Sequence, residues 1–77
     1  MFYPRAMAQL ATGSLVRHTR TNRLALVVGH EPYGGPRLLY LDHPDDVLVG
    51  DADRLRVAAG PDDVRAVLRY LGDDLDA

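Results

Sequence analysis

Three histidines, His18, His30 and His43, lie near Glu31 and Asp42 in the chain, and imidazole with carboxylate is a donor set that suits divalent metals. Their spacing contains neither a His-x-His pair nor an HExxH pattern, so nothing in the order of residues brings two ligands to one ion. The expectation is therefore surface histidines at strand ends. Ser14 lacks both a nucleophile elbow and a glycine motif for an oxyanion hole. Tyr33, Gly34 and Gly35 form a glycine-bearing loop without the Lys-Ser/Thr pair and helix start of a phosphate loop. No catalytic residue, metal ligand or cofactor site is assigned, and the chain is expected not to be an enzyme and to need no cofactor.

The remaining candidate chemistry is recognition. Arg17, Arg20 and Arg23 cluster within seven residues, Arg37 follows, and Tyr40 supplies a ring that a base can stack on. Against a nucleic-acid role stand a sequence pI of about 5.8 and the absence of Lys, because phosphate neutralisation asks for a broad basic footprint. Nucleic acid is thus the alternative partner, and protein the first.

Turn signals divide the chain into the elements that must carry these residues. Thr12-Gly13 opens a first strand over 14–18, and Asn22, which tolerates a left-handed backbone, marks the turn into a second strand over 24–30. Alternation sets Leu24, Leu26 and Val28 against Ala25, Val27 and Gly29, and the larger set is expected to face the core. Two prolines and two glycines in residues 31–36 end that strand and place Tyr33 at a loop tip. Strands over 37–42, 47–49 and 54–58 follow, the last preceded by a tight, 3₁₀-like turn at 51–53. Five short strands in so few residues are too few for a sandwich and are expected to close into a small barrel.

The ends of the chain add more apolar surface than a barrel needs. An N-terminal arm over 1–12 carries Phe2, Tyr3 and Met7. A helix is expected over 61–71: Gly60 suits the N-cap, Pro61 the first helical position, and Asp62 and Asp63 the positive end of the helix dipole. Val64, Val67, Leu68 and Leu71 fall at i, i+3, i+4 and i+7 and make one apolar stripe, expected to pack on the barrel or on a neighbour. Gly72 is read as the stop and residues 73–77 as an acidic tail. Together with Tyr33, these arm and helix residues are the expected protein-docking set.

With 77 residues the chain is expected to be one domain, and a domain of this size buries only about 60% of its unfolded surface. With no cysteines, neither a disulfide nor a thiolate metal site can staple it. No apolar run reaches membrane-spanning length and the N-terminus lacks the uninterrupted apolar stretch of a secretory signal, so a soluble cytoplasmic protein, with no membrane partner, is expected. Residues 1–37 hold five Arg and one Glu, whereas residues 38–77 hold four Arg and ten Asp. That asymmetry makes the molecule dipolar.

The order of these signals resembles the small stand-alone SH3-like barrels, akin to KOW modules, of bacteria and phages. Gly13-Ser14, the LVRH of Leu15–His18, the Thr21-Asn22-Arg23 turn, the Val-rich residues 26–28, Tyr40 and the LRV of residues 55–57 carry the resemblance, over about 45 of the 77 residues. Asn22 stands where the turn usually has Gly, and Ala25 where KOW strands have Gly. The resemblance implies a five-stranded SH3-like barrel with a C-terminal α-helix. It also implies a structural, protein-binding role in an oligomer or larger assembly, such as a phage virion or head-tail accessory component.

Overall fold

The computed structural model describes residues 10 to 76, so Phe2, Tyr3, Met7 and most of the expected N-terminal arm lie outside the described residues. Strands β1 (Leu15–His18), β2 (Leu24–His30), β3 (Pro36–Tyr40), β4 (Val47–Val49) and β5 (Leu55–Ala59) precede one helix, α1 (Pro61–Asp76). The strands form a single antiparallel sheet in the order β4-β3-β2-β1-β5. The chain is thus mostly β with a C-terminal helix. β4 and β5 are both edge strands, joined through a 3₁₀ turn at Ala52–Arg54 and not paired to each other. The expected closed barrel is corrected to an open sheet: β4, only three residues long, pairs with β3 alone, and its other edge does not meet β5.

One face of the sheet holds the core. Val16, Ala25, Val27, Leu38, Tyr40 and Leu55 are buried and pack as one cluster, with half-buried Leu10 against it. The sheet achieves this without a second layer by bringing the β4–β5 connection over its own inner face, where Gly50 lies against both Leu38 and Leu55. This curvature overturns the expected facing of β2. Ala25 and Val27 point inward, while Leu24 and Leu26 are half-buried on the outside and Val28 is exposed. On that inner face Ala25 stands between Val16 of β1 and Tyr40 of β3, and Val27 stands opposite Leu38, so the smaller β2 side chains leave room for the larger ones of β3 in a close-packed cluster.

The β1–β2 hairpin turns where expected. Asn22 has φ 64°, its N–H donates to the His18 carbonyl at 2.8 Å, and the His18 N–H donates to the Arg23 carbonyl at 2.9 Å. Arg17 on β1 locks the turn by donating from its guanidinium to both the carbonyl and the Oδ1 of Asn22, each at 3.2 Å. A side chain that only supplied a left-handed backbone would not do this. At the 3₁₀ turn, Asp51 accepts from the Asp53 N–H through its side chain at 3.0 Å.

The helix starts as the sequence indicates, the Val64 N–H donating to the Gly60 carbonyl at 3.0 Å. It does not stop at Leu71. Gly72 lies inside the helix, which continues to Asp76 through most of the expected acidic tail. A glycine ends a helix by adopting positive φ, and among the described glycines only Gly13, at 94°, does so. Mid-helix, a glycine costs only about 1 kcal/mol relative to Ala, too little to break a helix with no proline after it. The last turn carries no basic residue to balance the dipole.

Candidate interaction surfaces

Three surfaces merit consideration: the hairpin with its neighbouring cavity, the convex face of the sheet, and the helix. At the first, Arg23 leaves the hairpin and lies over Tyr40 of β3, its Cζ 4.2 Å from the ring centroid. Its guanidinium meets Asp42 in a two-pronged contact, Nε to Oδ2 at 2.9 Å and Nη2 to Oδ1 at 2.8 Å. This fork geometry joins the ends of β2 and β3 on the solvent side of Tyr40. Beside it opens a cavity of about 310 Å³, lined by Thr21, Arg23, Tyr40, Leu48 and Gly50 among others. It is the mouth of the incompletely closed sheet.

The Arg23 bond holds the Asp42 carboxyl below its ordinary value of 3.8, and burial opposes that shift only in part. The same bond raises Arg23. A depressed carboxylate stabilises the fold fully above its ordinary value and loses that contribution as pH falls through the lower, folded value. The melting-temperature difference between wild type and Asp42→Asn is therefore expected to be flat from about pH 7 to pH 5 and to vanish only in strong acid. A difference that fades between those two pH values would contradict the pairing. The two side chains are 39% and 58% exposed, so solvent screens the pair and the effect at neutral pH is small.

The arginines expected to contact phosphate do not share a face. Arg23 is on the concave side with its carboxylate partner, and Arg17 and Arg37 are exposed on the convex side. Arg37 faces Glu31 at 3.4 Å. Arg20 is exposed at the hairpin tip. Tyr40 is 7% exposed beneath Arg23, which leaves its ring face unavailable to a base in this conformation, whereas Tyr33 is fully exposed at its loop tip.

The histidines are also separated. His18 accepts from the Arg20 N–H at 3.1 Å, His43 faces Asp46 at 3.3 Å, and His30 has its Nε2 buried without a hydrogen-bond partner among the described residues. Among those residues no three His, Asp or Glu side chains gather to hold a metal ion.

On the convex face, strand register creates a surface that the linear sequence does not display. Leu15 of β1 stands opposite Leu26 of β2, Leu26 opposite Leu39 of β3, and Leu39 opposite Val47 of β4. Four apolar side chains thus run in line across four strands. The three leucines are half-buried and Val47 is 44% exposed. At the β1–β5 end, Arg17 is directly opposite Arg56, a like-charge cross-strand pair that is unfavourable by itself. The sequence signal for this band is the larger face of β2, which points to the core when facing is judged from side-chain size alone.

The helix carries its expected stripe into solvent. Val67, Leu68 and Leu71 are 57%, 61% and 47% exposed, Val64 is half-buried, and Tyr70 on the flank is also exposed. Pro61 packs at the Gly13 turn, where a Cβ on Gly13 would lie 3.4 Å from the Pro61 Cβ. Beyond that point α1 makes no extensive contact with any strand. Among the described residues no helix is long and apolar enough to cross a membrane.

Comparison with protein-family models, with curated proteins and with solved structures finds no match for this chain.

Proposed function

We propose that the protein is a non-enzymatic interaction module, a small structural subunit that docks on protein partners through α1 within an oligomer or larger assembly. The observation that carries this reading is the apolar stripe of α1, which stays in solvent where the expectation allowed it to pack on its own sheet. A short helix in water draws most of its stability from burying an apolar face, so a stripe left open by its own domain asks for a partner. The strand order, with β5 returning beside β1 after a 3₁₀ turn, supports kinship with SH3-like sheets in spite of the open ladder. A virion or head-tail accessory role is the specific form that this kinship favours.

Leu68→Asp tests the reading, because the side chain is exposed and its replacement leaves no charge in the core. The melting temperature of the isolated domain is expected to change little, while association measured by light scattering or partner binding falls sharply. A variant that melts many degrees lower with unchanged association would mean that the stripe is internal packing.

A further inference from the structure

We infer that the outer edge of β4 is a strand-addition site, which takes an extended apolar segment of a partner protein that carries basic residues at its ends. The observation is the hydrogen-bond phase of the strand. The Gly50 N–H donates to the Pro36 carbonyl at 2.8 Å, and the unbroken register sets Leu48 opposite Leu38 two places along. Bonded and non-bonded pairs alternate in an antiparallel ladder, so Leu48 turns its N–H and C=O to β3 while Val47 and Val49 turn theirs away. No turn, loop or side-chain hydrogen bond reaches those four groups among the described residues. Two donors and two acceptors at strand spacing match the backbone of another extended chain. The β5 edge is better guarded: it carries Arg56, its ladder to β1 is irregular at Leu15/Val16, and the Leu55 N–H already donates to the Ala52 carbonyl. β4 holds neither charge nor proline, its pairing is regular, and all three of its side chains are exposed.

Side chains and charge define the occupant. Leu48 shares the inner face with Leu38, and both line the cavity beside the hairpin together with Tyr40 and Thr21. A side chain that an added strand sets opposite Leu48 points to that same side, where an apolar one covers Leu48. Three residues make few main-chain bonds, so this cavity supplies much of the affinity. Between Arg37 and Arg54 the sequence has five Asp and no basic residue other than His43. Arg23 answers Asp42 and Arg54 answers Asp51, whereas at the start of β4 Asp46 meets His43 and Asp45 has no ion-pair partner among the described residues. A basic residue at the end of the incoming strand answers these two carboxylates. A second β4 is a poor occupant, because two-fold pairing about Leu48 would set Asp45 opposite Asp51, like charges across the ladder.

The probe is a capped peptide, Thr-Arg-Val-Leu-Val-Arg-Thr, added to the full-length protein while amide hydrogen exchange is followed by NMR. In the free protein the Val47 and Val49 amides are expected to exchange faster than that of Leu48. With the probe at about ten times its dissociation constant both should slow about tenfold, since exchange then proceeds from the unbound fraction. The same peptide with both valines N-methylated, and a counterpart with Asp in place of Arg, are expected to protect neither amide. Val49→Pro removes an outward N–H and no bond to β3, so it should melt near the wild-type temperature and lose the probe. Asp45→Arg with Asp46→Arg, which leaves the backbone intact, should weaken the Arg peptide and favour its Asp counterpart. Equal protection by the N-methylated peptide would mean that the cavity holds side chains without strand addition, and equal protection by the Asp peptide would remove the choice of a basic partner. Slow exchange at both valines in the free protein at every concentration would mean an edge already covered by the chain itself. Protection that grows with protein concentration would make the occupant a second copy. Each of these results overturns the inference, as does an absence of protection at millimolar probe, and none bears on the docking role of α1, which Leu68→Asp tests by itself.

Discussion

Leu38→Ala is expected to leave the protein largely unfolded at room temperature. Leu38 is fully buried at the centre of the cluster, against Gly50 on one side and within a core of only six buried apolar residues among those described. Truncating such a leucine costs about 2–5 kcal/mol, the lost transfer free energy plus the cavity left behind. A single core in a chain of this length rarely supplies more than about 3–5 kcal/mol in total, and no disulfide adds to it. Urea unfolding followed by circular dichroism reads the result, with Leu39→Ala on the convex face as the comparison. Leu39 is only half-buried, so its truncation is expected to cost clearly less in the isolated domain. Equal losses at the two positions, or a loss at Leu38 under about 1 kcal/mol, would show that the buried face is not the one described.

Gly35→Ala is the second large effect, and it acts through backbone proximity. A Cβ on Gly35 would collide with the Gly50 carbonyl oxygen, where the Gly50 N–H also donates to the Pro36 carbonyl at 2.8 Å. The loop before β3 and the chain leaving β4 therefore meet backbone to backbone, and neither side can yield by rotating a side chain. Relief requires moving the β4–β5 connection off the inner face, which opens the cluster around Leu38 and Leu55. A cost of about 2–3 kcal/mol is expected, at the upper end of the usual penalty for overpacking. Gly34→Ala next door meets only the Glu31 side chain at close range, with its Cβ 3.2 Å away, and is expected to be far milder. The melting temperatures of the two variants decide the matter: similar values would mean that loop entropy, and not the contact with Gly50, is what Gly35 contributes.

These two substitutions depend on facts that differ in how far they can be read from the amino-acid order. Local signals place the elements well. The apolar runs bounded by Asn22, by the Pro-Gly loop at 31–36 and by Pro44 become strands within a residue or two of where their sequences indicate, and Gly60-Pro61 starts the helix. Each such signal acts over a few residues, through φ preference, a missing N–H or a dipole, so neighbours in sequence suffice to express it. The end of the helix is also a local matter, and there the signal is weaker than it looks: Gly72 permits a left-handed turn but does not compel one.

What only the tertiary structure decided is which surfaces face which. Whether five strands close depends on the edges β4 and β5 meeting, and no residue in either encodes the distance between them. Alternation divides β2 into two faces, but the curvature of the whole sheet chooses the inner one, and it chose Ala25 and Val27 over the larger Leu24 and Leu26. The same is true of the candidate sites. Arg17, Arg23 and Arg37 read as one basic cluster along the chain until the pleat sends Arg23 to the concave side, where it meets Asp42, nineteen residues away. Leu15, Leu26, Leu39 and Val47 are well separated in sequence and become one band through three registers. The exposure of the helix stripe was beyond any local reading as well, because 3.6-residue periodicity states that a face is apolar and is silent on what covers it.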